Sequence, residues 1–270
     1  MLDEATTAAY LKRISADRPD RPDLAALRHL HERHVMSVPF ESLDYHLGRE
    51  IHYKDERIVD KIVHQRRGGA CGETNSSFYF LLQALGFTVH VRHGRVWIDG
   101  RLRDPYNHLL VMAEIDGARW LVDVGFGKGS RYPILLDSPE AQDDPHGVFS
   151  VRKVDDRAHD ILRDGKPQYR VHDDPTALSD FDQVIYWYRT SPDSMLLQNM
   201  FCSLPLDDGW VVLKDDVLTV TRGGDRTTEK LAGDAAVLAA YEKWFGITLD
   251  KRPAPSIYLR DSVRMAFEEN

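Results

Sequence analysis

Arg67-Gly68-Gly69-Ala70-Cys71-Gly72-Glu73-Thr74-Asn75 is the stretch on which the reading of this chain turns. Two glycines break any regular element, and a cysteine follows them where a helix is expected to start. Phe78, Leu81, Leu82 and Leu85 then recur at helical spacing, and Gly86 suits the position just past a helix end. Cys71 therefore stands at a helix N-terminus, whose partial positive charge favours thiolate over thiol. A thiolate is a nucleophile, so the stretch points to covalent chemistry. An isolated cysteine at a helix start is more often structural than catalytic, and catalysis needs a base.

A candidate base lies downstream. Leu109 to Ile115 and Arg119 to Phe126 read as strands, joined by Asp116-Gly117, a strong type I′ hairpin signal. A two-residue loop sets Ile115 opposite Ala118 and Glu114 opposite Arg119, a sensible cross-strand charge pair. The same register sets His108 opposite Gly125 and Asp123 opposite Leu110. His108 and Asp123 then share a face as diagonal neighbours, roughly 7–8 Å apart at the backbone and closer at their side chains. Gly125 leaves space above the ring. Asp123 sits in the apolar run Leu121-Val122-Asp123-Val124, where an unpaired carboxylate would be costly. Cys71, His108 and Asp123 thus make a candidate nucleophile, base and orienter in that chain order.

Around this core the first third reads as helical. Tyr10, Leu11 and Ile14 share a face; Asp23 is a candidate N-cap for a helix carrying Leu24, Leu27, Leu30 and His31. Ile58, Ile62 and Val63 mark another helix, expected to stop at Gly68-Gly69. Thr88 to Trp97 is rich in β-formers. Residues 137–182 are polar, with many Asp, Pro and His, and read as loops and short edge strands. Trp210 to Leu213 and Val217 to Thr221 suggest a hairpin, and Leu231 to Phe245 a late helix. No internal repeat is evident.

Composition narrows the function classes. The chain has 270 residues, enough for two or three units sharing a core. Its formal charge of −8, without a concentrated basic tract, argues against nucleic acid as the main partner. Two cysteines cannot make a disulfide framework and suit a reducing compartment. The start lacks a basic n-region followed by an apolar one, and no apolar run reaches the roughly 20 residues that span a bilayer. A cytoplasmic location with no membrane contact is the expectation. Cys202 reads as a small buried hydrophobe. His90, Arg92 and His93 hint at a metal, but no second cluster supports it, so none is expected. Gly125-Phe126-Gly127-Lys128-Gly129-Ser130 could present backbone N–H groups and Lys128 to a phosphate; a plain turn explains it as well.

These residues resemble the arylamine N-acetyltransferases. Val38-Pro39-Phe40-Glu41-Ser42-Leu43-Asp44 is similar to that family's Pro-Phe-Glu-Asn-Leu element, and Arg67-Gly68-Gly69-Ala70-Cys71-Gly72-Glu73 to its Arg-Gly-Gly-x-Cys-x-Glu signature. Asn107-His108-Leu109-Leu110 resembles its histidine strand, and Trp120 to Gly127 its Asp-Val-Gly-Phe-Gly element. The resemblance implies an α+β fold: a helical bundle over 1–86 carrying Cys71, a β-barrel over 87–195 carrying His108 and Asp123, and an α/β lid over 196–270. The Cys-His-Asp core would be like that of cysteine proteases. It implies a ping-pong enzyme of xenobiotic metabolism. Acetyl-CoA would acylate Cys71, and an arylamine, hydrazine or arylhydroxylamine would take the acetyl group. It further implies an Arg67–Glu41 structural pair, Phe40 and Phe126 against the acceptor, and Trp97 with Gly127, Lys128, Gly129 and Ser130 against CoA. A homo-oligomer stays open. Ser42 stands where the family usually has Asn, and Ala70 and Gly72 are smaller than the residues common beside the cysteine, so a more open pocket is expected.

Three alternatives use the same residues. An amide synthase would release or cyclise a carrier-bound acyl chain. A thiol peptidase or transglutaminase-like enzyme would act on amides without CoA. A binding protein would keep the triad as a relic.

Overall fold

The computed structural model describes residues 1–254; the end of the expected C-terminal lid, residues 255–270, lies outside the described residues. The chain opens with α1 (Glu4–Arg13), α2 (Leu24–Val35), β1 (Phe40–Glu41), α3 (Leu43–Leu47), α4 (Arg57–Val63) and α5 (Cys71–Ala84). Next come β2 (Thr88–Ile98), β3 (Arg101–Leu102), β4 (His108–Ile115), β5 (Ala118–Val122), β6 (Ile134–Leu135), β7 (Gln142–Asp144), β8 (Gly147–Lys153), β9 (Ala158–Arg163) and β10 (Lys166–His172). A single 3₁₀ turn leads into α6 (Asp182–Thr190) and α7 (Met195–Gln198). Then follow β11 (Phe201–Leu206), β12 (Gly209–Lys214), β13 (Val217–Arg222), β14 (Asp225–Lys230) and α8 (Gly233–Phe245). This is an α+β architecture.

The larger sheet runs β6-β5-β4-β2-β10-β9-β8-β7, with β3 on β2. It curls into a nearly closed barrel whose two end strands meet at one side chain. The Gln142 amide donates to Leu135 O at 2.9 Å and accepts from Leu135 N at 2.8 Å, imitating a peptide in the missing ladder. Leu110, Met112, Leu121, Phe149, Ile161, Tyr169 and Val171 fill the barrel. On the other face of β4, Val111 and Ala113 pack with Phe78, Leu81 and Leu82 of α5. Burial on both faces explains why Leu109 to Ala113 is uninterrupted apolar sequence. The smaller sheet runs β1-β11-β12-β13-β14, and α8 covers it through Val237, Tyr241 and Phe245.

The structure corrects several expectations. Residues 137–182 are not mainly loops: β10 lies between β2 and β9 inside the sheet. Polar residues there alternate with Phe149, Val151, Ile161, Tyr169 and Val171, so polarity hid a period of two. Asp164-Gly165, with φ of 49° and 78°, turns β9 into β10 in the same way as Asp116-Gly117, at 51° and 78°. Gly68-Gly69 does not stop α4, which ends at Val63. These glycines serve close approach instead: a Cβ on Gly68 would lie 1.8 Å from Pro39 O. The late helix starts at Gly233, leaving Leu231 outside it. Among the described residues, no helix is long and apolar enough to cross a membrane.

Removing the Gln142 amide opens the seam and leaves Leu135 N and O without these bonds. Gln142→Ala is expected to cost about 1–3 kcal/mol, read from the urea unfolding midpoint, without loss of far-ultraviolet circular dichroism.

Candidate active site

Cys71 is the first residue of α5, half-buried, with Ala70 as the N-cap. Alanine offers no capping side chain; the Glu73 carboxylate instead reaches back and accepts from Ala70 N at 3.1 Å. Glu73 belongs to a buried ionic network. Its Oε1 meets Lys61 Nζ at 2.6 Å, and Lys61 meets Asp44 at 2.7 Å. Asp44 meets Arg67 at 2.9 Å, and Arg67 meets Glu41 at 2.7 Å. Glu41 also accepts from Leu43 N at 2.7 Å and Gly68 N at 3.3 Å. Arg67 and Glu41, expected as a pair, are thus two members of a five-residue cluster. Asp44 and Glu73 stood inside the quoted motifs without an assigned partner, and Lys61, which joins them, was legible only as a scattered charge.

His108 opens β4 and is 2% exposed. Its Nε2 donates to Asp123 Oδ2 at 2.8 Å, which leaves Nδ1 on the other side of the ring, and Cys71 is near enough to favour the charged imidazole. Burial disfavours the charged ring, but the Asp123 carboxylate and then Cys71 outweigh it and raise the imidazole to about 10. Asp123 is buried too, which works against its charge. His108, the Asn75 amide at 2.9 Å and Gly125 N at 3.1 Å still hold the carboxyl below its usual range. The Tyr169 ring packs against that of His108 at 5.2 Å, and burial beside the Asp123 carboxylate pushes its hydroxyl well above the usual range.

The structure brings His108 and Asp123 together by a different route from a continued hairpin. The expected register holds from Ile115↔Ala118 to Val111↔Val122 and then ends. Asp123 leaves the ladder because other partners take its backbone. Asp123 N donates to His31 Nε2 at 3.2 Å, and Val124 N donates to Asn75 Oδ1 at 2.8 Å. Asn75 Nδ2 also donates to Leu109 O at 2.8 Å, so one buried amide joins α5, β4 and the chain after β5. Gly125 does not leave room above the imidazole. A Cβ there would lie 2.5 Å from Thr74 Oγ1 and 2.8 Å from Cys71 Cα, so its bareness admits the first turn of α5. Asn75 was within reach of sequence reasoning, one helical turn after Cys71. His31 carried no such signal: it reads as one more residue on the inner face of α2.

A pocket of about 500 Å³, its mouth included, opens over the thiol. Cys71, His108, Phe40, Phe126, Tyr188 and Met195 are among its lining residues. The ring of Phe126 meets that of His108 edge-on at 5.3 Å. The small residues beside Cys71 do not simply open the pocket. Ala70 lines it, but the side of Gly72 is filled by α6, where a Cβ would lie 3.1 Å from Ile185 Cδ1. Gly127 to Ser130 follow Phe126 directly. The carbonyls of Lys128 and Gly129 are held by Arg163 at 2.8 Å and His146 at 2.8 Å, and the Lys128 ammonium lies over the Trp210 ring. Ser130 is buried. Trp97 is not among the pocket's lining residues; its ring lies under the Arg170 guanidinium. Cys202 is fully buried within β11, in the cluster the smaller sheet forms with α8.

This fold and site define a class, the N-acetyltransferases: the family profile of that description matches residues 23–254. The arylamine N-acetyltransferase of Mycolicibacterium smegmatis is 33% identical over 252 residues, spanning 89% of this chain and 91% of that protein. The structure of the Salmonella typhimurium arylamine N-acetyltransferase superposes with a TM-score of 0.84 at 26% identity, covering 91% of this chain and 92% of that one. That of Mycobacterium marinum in complex with CoA gives 0.81 at 26% identity, covering 89% and 92%. The chain belongs to the arylamine N-acetyltransferase family.

The His108–Asp123 pair makes stability depend on pH. The ring's folded value of about 10 lies above its ordinary 6.5, so its contribution is complete below 6.5 and is lost as pH rises through about 10. Urea unfolding across that range should show the stability advantage of wild type over Asp123→Asn shrinking as pH rises. A constant difference would contradict the raised imidazole.

Proposed function

We propose that this protein moves an acetyl group from acetyl-CoA to an arylamine, arylhydrazine or arylhydroxylamine through an acetyl group held on Cys71. The observation that carries the reading is Cys71 set beside a buried, carboxylate-backed His108 in the wall of one largely apolar pocket. Family membership supports acyl transfer over amide hydrolysis.

With the proton on His108, the Cys71 sulfur attacks the thioester carbonyl. A carbon–sulfur bond to Cys71 forms, the bond from the acyl carbon to the CoA sulfur breaks, and His108 gives its proton to the departing thiolate. Acetylation also removes the Cys71 interactions that help hold the imidazole protonated. His108 is thereby readied as a base. It takes a proton from the acceptor nitrogen as that nitrogen attacks the acetyl carbon, and the Cys71 sulfur leaves. Asp123 holds His108 by Nε2 throughout, fixing the tautomer in which Nδ1 works toward Cys71.

An aromatic amine is neutral at pH 7 and flat, which suits Phe40 and Phe126 in the pocket wall. For CoA, the reading assigns Gly127, Lys128, Gly129 and Ser130 to the pyrophosphate, because this loop leaves the pocket edge at Phe126. Trp97 is the weakest assignment, since it stands outside the pocket lining. Arg67 and Glu41 act by holding the start of α5 in place.

Two experiments test the reading. Intact-protein mass spectrometry after brief exposure to acetyl-CoA should find one acetyl group on wild type and none on Cys71→Ala, and an added arylamine should remove it. An adduct on the variant, or turnover by it, would overturn the nucleophile. Asp123→Asn should slow single-turnover acetylation by about 10²-fold or more, while CoA binding, followed by calorimetry, stays within a few fold.

A further inference from the structure

Across the β2–β10 ladder, His93 and His172 are directly paired residues. Their rings stack at 4.7 Å, within 7° of parallel, and His93 also stacks on Tyr106 at 4.1 Å. His93 is 6% exposed, yet its Nδ1 has no hydrogen-bond partner, and neither has the buried His172 Nε2. Asp174, two residues beyond His172, brings a carboxylate to the same place. One donor atom from each of the three lies within 4.8 Å of the others. Two buried imidazole nitrogens without partners, set beside a carboxylate, are costly as bare polar groups and are suited to hold a cation.

The geometry points to His93, His172 and Asp174 as a divalent-cation site of the zinc type, on the face of the sheet opposite His108. The face follows from register. His93 pairs with Leu109 and His108 with Gly94, and adjacent residues of a strand point to opposite faces. The donor set is that of a zinc site with three protein ligands, completed by water. Bonds of about 2.0–2.1 Å place tetrahedral donors about 3.3 Å apart, so the cluster must contract by roughly 1.5 Å at its widest, and the two imidazoles must rotate out of their parallel stack so that both ring planes contain the ion.

The surrounding charges are mixed. Arg95 and Arg170 oppose a cation, while Asp155 and Asp180 favour it. Arg170 is itself paired with Asp160 at 2.8 Å. Arg157, a 73% exposed side chain, holds Asp174 Oδ1 at 2.9 Å and leaves Oδ2 for a metal. In the sequence, His93 stands with His90 and Arg92, but those two turn elsewhere, to Glu114 and Asp173. The partners of His93 come from 79 to 81 residues away, which is why no metal was expected. A bound ion would tie β2, β10 and the start of the segment leading to α6 around Tyr106, whose ring also meets Phe181 edge-on.

The test titrates chelator-stripped protein with Zn(II) against a chromogenic chelator. Wild type, Cys71→Ser, His93→Asn and His172→Asn are compared, because the active-site thiol can bind zinc by itself. Wild type and Cys71→Ser should share one site that each histidine variant weakens by about 10-fold or more. Co(II) in Cys71→Ser should show visible ligand-field bands without a sulfur charge-transfer band. No site in Cys71→Ser, or affinity unchanged from wild type in both histidine variants, overturns the proposal. If the histidine variants unfold, Asp174→Asn, at a 40% exposed side chain, takes their place, and unchanged affinity there overturns it as well.

Discussion

The start of α5 is held by charge. Three buried carboxylates (Glu41, Asp44 and Glu73) face two buried cations (Lys61 and Arg67) between β1, α3, α4 and the first turn of α5. The cluster is one negative charge in excess, and the N–H groups of Leu43, Gly68 and Ala70 solvate the surplus. Such a cluster adds little net stability over an apolar packing, but removing one partner strands the others at a cost of about 3–5 kcal/mol. It therefore fixes a single arrangement more than it deepens the fold. The approach of Gly68 to Pro39, the seat of Gly125 under α5 and the place of the Cys71 sulfur all depend on that arrangement.

Much of this was legible in the sequence because it is local. Asp116-Gly117 fixed the β4–β5 register, and the apolar spacing after Cys71 marked α5 through to Gly86. The His108–Asp123 contact was anticipated from that register, although Asp123 in fact lies just past the end of the ladder. The strands from β7 to β10 were obscured because their outward residues are polar and their turn signals lie among other Asp and Pro residues. His31 and Asn75, which steer Asp123, depend on how α2 and α5 pack against the barrel. That information belongs to tertiary contact, and no single segment carries it.

The catalytic reading and the fold meet at Asn75. A glutamine, or an alanine with water, could satisfy part of what it does. Only a short amide at that helical position accepts from Val124 N while donating to both Leu109 O and Asp123 Oδ1. Asp123 is thus held from two sides, by the helix that bears Cys71 and by the imidazole it orients. Cys71 and the amide that anchors Asp123 sit one turn apart on α5, so a shift of the helix along its axis would move both together.

The two-residue strand β1 pairs with β11, setting Phe40 against Ser203 across 163 residues of chain. Phe40 also bridges to Gly69, just before Cys71. As the polypeptide leaves the ribosome, α1 to α7 and the barrel strands β2 to β10 emerge before the partner of β1 exists. The wall of the pocket beside the thiol is therefore finished late in synthesis. A nascent chain halted before Phe201 would carry Cys71 without the strand that fixes Phe40 beside it, so assembly order itself delays the enclosure of the thiol until β11 has been made.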